Sequence, residues 1–380
     1  MKVQRKRSGR GFTLVELVIG MALTLIVAGA AVYMLDHLMT SVAITTERAE
    51  IQANARAGVN QISQDLGQAG AGGFPWGGIS LPSGAGSGNV LFAHDVNGVD
   101  YLTGNSFQND EANPPSGARL YAVTPAYKLG PPNPFASPAV NTDGIVITYI
   151  DPTLNWTAYP TQQPTAISAT GNSVTMPDGT TPAVNDPVQG LQPGDVMMLQ
   201  NTNGAALGLV TKISGNQISF DAGDALGLNQ IGAATGNIAA LATSPGNYPP
   251  TTVFRVLMVS YFVEPLDASG NVLPPNTASA ADYRLMRQIN AQPPVPIAEH
   301  VVNLKFAYDL SDPNTSEQSS NVPDAQAGTP AAPAFSEIRN VYVAVTARSN
   351  APDPTTGRYN YVSLYTNVSP RNLSFHDTYN

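Results

Sequence analysis

Four histidines, His37, His94, His300 and His376, are the side chains best suited to bind a metal or move a proton near neutral pH, and they are scattered along the chain. None falls in a paired spacing such as H-E-x-x-H, which sets two imidazoles on one helical face. The 380 residues include no cysteine, which excludes thiolate metal sites, disulfides and thiol nucleophiles. Gly84-Ala85-Gly86-Ser87-Gly88 is glycine-rich but lacks the Lys and Ser/Thr of a phosphate-cradling loop and follows no predicted strand, so it reads as a plain loop. Asp95-Val96-Asn97-Gly98-Val99-Asp100 offers hard oxygen ligands around a glycine. It misses the EF-hand spacing and its bidentate Glu, and reads as an Asx-type turn. With no nucleophile motif, paired carboxylates or cofactor fingerprint, the expectation is a protein that is not an enzyme and uses no cofactor or metal. One residue stands apart. Glu16 places a carboxylate in an apolar run, where it costs about 2.5–3.5 kcal/mol at mid-membrane and less near an end.

The element that must position Glu16 is a helix. Phe12 to Leu35, FTLVELVIGMALTLIVAGAAVYML, is apolar apart from Glu16 and two threonines. Its 24 residues would rise about 36 Å, enough for a hydrocarbon core of roughly 30 Å. Lys2, Arg5, Lys6, Arg7 and Arg10 precede it with no acidic residue, a topology signal that keeps the N-terminus in the cytoplasm. A secretory signal has a shorter apolar region and a small-residue cleavage motif after it. Here the run is longer, and the small residue, Gly11, comes before it.

Gly11-Phe12-Thr13-Leu14-Val15-Glu16-Leu17 resembles the signal of type IV prepilins and pseudopilins. The resemblance implies cleavage after Gly11 by a membrane aspartyl prepilin peptidase and N-methylation of the new terminal Phe12. It also implies a role for Glu16 in assembly, neutralising the terminal amine of a neighbouring subunit. From the residues alone, Glu16 could instead reach the head groups. Gly20, Ala22, Ala28, Gly29, Ala30 and Ala31 would let neighbouring helices approach closely. The proline that many major pilins carry in the span is absent.

Beyond Asp36, Leu38, Val42, Ala49, Ala55, Val59, Ile62 and Leu66 recur mostly at three- and four-residue steps, with Glu47, Arg48, Glu50, Arg56 and Asp65 between them. This predicts one helix from Phe12 to about Gln68, roughly 85 Å long, ended by Gly70-Ala71-Gly72-Gly73-Phe74-Pro75. Its apolar stripe would pack on a globular body or form a coiled-coil seam. Residues 70–140 are loop-heavy, and strand signals follow at 143–150, 172–176, 195–200, 207–213 and 217–220. The clearest strands are Val253–Val263, Arg284–Ile289, Val301–Tyr308, Ile338–Arg348 and Tyr359–Val368, with alternation evident at Val341–Val345 and Leu304–Tyr308. Ser311 to Ser320 and Pro323 to Pro333 read as an exposed loop.

The expected fold class is α+β: a long N-terminal helix packed on an antiparallel sheet of pilin-like form, with a β-rich insertion. The expected organisation is a cleaved basic leader (1–11), a transmembrane part of the helix (12–35), an amphipathic part (36–69) and a β-rich body (70–380) with an inserted module at 166–220. The order of Gly194-Asp195-Val196-Met197, Leu285-Met286-Arg287, Glu299 to Tyr308 and Val345 to Ser349 is similar to the PilW-like minor pilins.

Net charge is −9, and removing the five basic leader residues leaves 13 Lys+Arg against 27 Asp+Glu, a net of −14. An acidic body argues against a nucleic-acid partner. The family resemblance implies a minor pilin at or near the tip of a type IV pilus. Its partners would be prepilin peptidase, other minor and major pilins, the inner membrane and a tip adhesin. A tip pseudopilin of type II secretion shares the same features, and a membrane-anchored binding protein or enzyme is the remaining alternative. The expected location is the inner membrane, single-pass, with the body in the periplasm, and after processing a filament or the cell surface.

Overall fold

The computed structural model describes residues 13–82, 90–94, 100–103, 119–133, 140–154, 156, 162–233, 235–275, 277, 280–311, 318–322, 335–353 and 356–373. The chain divides into two compact units. One contains the residues up to Glu50 together with 349–360, and the other contains Ile51–Arg348 with the segment from Tyr361 onward. A single helix, α1, runs Leu14–Gln68. In the first unit, Ser349 N–H donates to the Asn360 carbonyl and Ala351 N–H to the Glu47 carboxylate.

In the second unit α1 packs on antiparallel sheets. Ile51, Ala55, Gly58, Val59, Ile62 and Leu66 are buried, a stripe whose three- and four-residue steps follow the helical repeat. Each large aliphatic side chain in that stripe stabilises the packing by roughly 1.5–3 kcal/mol. At Gly58 the helix comes so close that an added Cβ would lie 2.8 Å from Leu285 Cδ2, with Ala298 and Val345 next nearest. The stripe expected from the sequence is thus present at Ala55, Val59, Ile62 and Leu66, whereas Leu38 and Val42 are exposed. Asp65, read as part of the polar face, is buried.

The helix ends where glycines take over. Gly70 has φ +73°, and its N–H turns away to donate to the Thr148 carbonyl at 2.9 Å. Gly72 (φ +80°) lies against Ile150, whose Cβ would be 2.6 Å from an added Cβ. Only glycine fits this approach.

The larger sheet has seven strands, and its spine is Thr252–Leu266. One edge of that strand pairs first with Val196–Asn201 and then with Asp282–Ile289, while the other edge pairs with Gly144–Ile150. Gly204–Leu209 extends the sheet beyond Val196–Asn201, Val295–Glu299 beyond Asp282–Ile289, and Val123–Ala126 beyond Gly144–Ile150. A second sheet of four strands has the order Gln318–Val322, Val301–Ser311, Ile338–Arg348, Tyr361–Val368. Ser319 and Ser320, expected in a loop, are therefore strand residues, held by pairing to Val301–Ser311.

The segment 166–220, expected as an inserted module, divides between two sheets. Ala166–Ile167, Ser173–Thr175, Lys212–Ser214 and Gln217–Ser219 form a small sheet of their own, whereas Val196–Asn201 and Gly204–Leu209 belong to the seven-stranded sheet. The physical reason is two-sided burial. Val196, Met198, Leu207 and Leu209 face the main core, and the alternate residues Met197, Leu199 and Ala206 face a second core around Trp156, Val174 and Phe220.

The two larger sheets meet at a charged cluster. His300, in the turn before Val301–Ser311 and at φ +57°, places Nδ1 2.7 Å from Asp282 Oδ2, and Arg348 Nη2 lies 3.1 Å from Asp282 Oδ1. The hydrogen bond to Asp282 raises the His300 pKa, against burial and the Arg348 charge, with Glu299 adding to the rise. Burial works upward on Asp282, but the His300 hydrogen bond and its other partners hold it below the usual carboxylate range. Because folded His300 binds its proton more tightly than the unfolded chain, its stabilisation is complete below about pH 6.5 and is lost as pH rises through the raised folded value. Thermal melts should therefore show the native chain ahead of His300→Gln by about 1–3 °C at pH 5.5, narrowing by about pH 8.5, as suits a partly exposed pair. A gap independent of pH would assign His300 a packing role only.

Candidate functional site

At the start of α1, Thr13 and Glu16 form a capping box. Thr13 N–H and Oγ1 each lie 3.2 Å from Glu16 Oε2, and Glu16 N–H donates to Thr13 Oγ1 at 3.2 Å. The T-x-x-E spacing accounts for this. A Thr at the cap and a Glu three residues on reciprocally satisfy helix-end donors that otherwise have no partner. The carboxylate at a helix N-terminus is also favoured by the macrodipole. Glu16 thus has a local partner set within its own chain. Gly11 and Phe12 lie outside the described residues.

From Leu14 to Val42 the helix exposes Leu, Val, Ile and Met side chains along its length. It is long and apolar enough to cross a membrane, and its most apolar stretch has no buried residue. Thr24 and Thr45 return their hydroxyls to carbonyls three and four residues earlier, so these polar groups are satisfied inside the helix.

In the body, the helix is fixed by a buried ion pair that sequence reading missed. Arg287 Nε donates to Asp65 Oδ2 at 2.7 Å and Arg287 Nη2 to Asp65 Oδ1 at 3.1 Å, a bidentate contact, and the Tyr261 hydroxyl donates to the same carboxylate. Asp65 is 5 % exposed. Burial, reinforced by the Asp65 charge, pushes the Tyr261 hydroxyl far up and that of neighbouring Tyr149 to about 12. Burial alone would lower the Arg287 pKa, but the hydrogen bond and charge of Asp65 raise it. Both tyrosines are therefore neutral donors and the guanidinium stays charged. The signal in the sequence was the position of Asp65, one residue before Leu66 and three after Ile62, within the apolar stripe.

Of the histidines, His37 is exposed on α1, His94 and His300 are half-buried, and His376 lies outside the described residues. Among the described residues no group of three or more His, Asp or Glu is placed to hold a metal ion. The segments 84–88 and 95–99 lie outside the described residues.

Residues 6–32 match the family described as the prokaryotic N-terminal methylation motif. No curated protein and no solved structure matches the chain. The motif, heading an exposed apolar helix, supports a chain of the type IV pilin-like superfamily. The motif implies processing by prepilin peptidase and assembly with other pilins, and the long apolar helix fits anchoring in the inner membrane.

Proposed function

We propose that this chain is a minor pilin of a type IV pilus, of the PilW-like kind, which helps to initiate assembly and sits at or near the filament tip. It acts by packing with other subunits and not by catalysis. The observation that carries the reading is the methylation motif at the head of a helix whose membrane-length part buries nothing in its own chain. The tip position is supported by size. A body spanning residues 70–380 is bulky to repeat along a shaft, while one copy at an end is sterically easy. A tip pseudopilin of type II secretion has the same motif and helix, and loss of pili or loss of secretion on deletion separates the two.

Intact mass and N-terminal sequencing, with and without a prepilin peptidase, test the processing. The expected product begins at Phe12 and carries a methyl group on its amine. Retention of Met1 to Gly11 in cells that process other prepilins would overturn the reading. Immunogold label on filament ends is expected for the tip position, and label along the shaft would reject it.

A further inference from the structure

A cleft of about 490 Å³ in the second unit is walled by residues 75–80 with Arg119, by the hairpin 200–205, and by residues 235–241. Each wall is fixed in place. Ile79–Ser80 pairs with Arg119–Leu120, and the turn before it closes through Gly78 N–H, which donates to the Pro75 carbonyl at 3.0 Å. The Asn201 and Asn203 side-chain amides both donate to the Leu241 carbonyl, at 3.1 and 3.0 Å, and so tie the hairpin to the short helix Ile238–Leu241. Asn237 caps that helix by accepting from Ala240 N–H, and its own amide donates to the Ala233 carbonyl at 2.9 Å.

Two features of the lining point to a ligand. The first is charge. Among the described residues that line the cleft, Arg119 is the one charged side chain, and no described carboxylate pairs with it although the chain has 27 Asp and Glu. Its Nη2 donates to the Gly78 carbonyl at 3.1 Å and its Nε is enclosed without an acceptor, so one of the five guanidinium N–H donors is engaged. The second is main chain. Gly204–Leu209 is the outer strand of its sheet, and along it the N–H and C=O groups alternate between the ladder and the free edge. Leu209 turns both groups outward, where the Asn229 side chain bonds each at 2.8 Å. Ala205 has the same parity, so its N–H and C=O also face outward, and no described residue bonds them.

We propose that this cleft binds the carboxy-terminal end of an extended peptide, about two or three residues long, with its terminal carboxylate on Arg119 and its main chain along Ala205. A free strand edge gives a peptide backbone its hydrogen bonds, and a guanidinium meets a planar carboxylate with two parallel N–H donors. A lone cation matches a monoanion and would leave half the charge of a phosphate unmet. Pro75, Ala205 and Ala240 offer an apolar surface to a small aliphatic side chain, and the volume lies within the range of about 300–1,000 Å³ common to ligand sites. The cleft lies wholly within one unit of the body, so the proposal does not depend on filament assembly.

Calorimetric titration of the detergent-solubilised full chain tests it, with acetylated tripeptides ending in alanine, valine or leucine, each as the free acid and as the amide. A peptide amide with an internal aspartate is the control for a side-chain carboxylate. At least one free acid is expected to bind with a millimolar or lower Kd, and its amide about tenfold more weakly. Arg119→Gln, shown by thermal melting to be folded, should bring acid and amide to within about twofold of each other. Ala205→Pro removes an outward N–H and no ladder bond, and should weaken acid and amide alike by about fivefold. Equal affinity for acid and amide in the native chain, or an acid preference that survives Arg119→Gln, overturns the carboxylate site. Unchanged affinity in Ala205→Pro overturns the main-chain contact, and tighter binding of the aspartyl amide than of any free acid overturns the chain-end assignment. No binding of any free acid at about 10 mM overturns the whole proposal.

Discussion

Arg287→Ala is expected to destabilise the body by about 3 kcal/mol, because Asp65 would remain buried on α1 with its charge uncompensated. The loss is larger than the net worth of the pair. Taking both charges out of water already costs several kcal/mol, and only the two-pronged guanidinium contact and the Tyr261 hydroxyl repay it. The triple replacement Asp65→Leu, Tyr261→Phe, Arg287→Met should recover most of the loss, since it removes both charges and the Tyr261 hydroxyl at once and leaves only the neutral Tyr149 hydroxyl. Denaturant melts of the native chain and these two variants check this. A drop below about 1 kcal/mol for Arg287→Ala would mean that water reaches Asp65 and that the pair is an ordinary surface contact.

Glu16→Gln should abolish or reduce filament incorporation by at least about tenfold while leaving helix initiation and body stability intact. Glutamine at the third helical position still completes a capping box, so the local hydrogen bonds with Thr13 survive the substitution. The negative charge does not. A carboxylate facing an ammonium in a low-dielectric helix bundle gains far more than the same pair in water, and a neutral amide forfeits that gain. Pili counted by electron microscopy, with immunoblots of membrane and sheared fractions, provide the readout. Normal incorporation of Glu16→Gln would make capping the residue's whole contribution.

What could be read in the sequence depended on how local each signal was. The helix was legible because 24 apolar residues and the Ala55–Val59–Ile62–Leu66 stripe are patterns in one stretch of chain, and Gly70 and Gly72 marked its end. Ile338–Arg348 and Val301–Ser311 were legible because one face of each is buried and the other is not, so residues alternate. Val196–Asn201 and Gly204–Leu209 gave only apolar runs, because both faces are buried, and no run states which strand it will pair with. Asp65 looked like a solvent-facing charge because its partners, Tyr261 and Arg287, are about 200 residues away. The methylation motif was legible for the same reason as the helix: it is contiguous.

The paired strands Val196–Asn201 and Gly204–Leu209 are a party wall between two rooms, with main-core side chains on one side and second-core side chains on the other. A segment placed in this way no longer behaves as a detachable addition. Cutting out 166–220 to obtain a smaller body would strip Thr252–Val256 of its ladder partner and open both interiors to water in one step. Shortening of this chain over evolution, or at the bench, has to begin elsewhere.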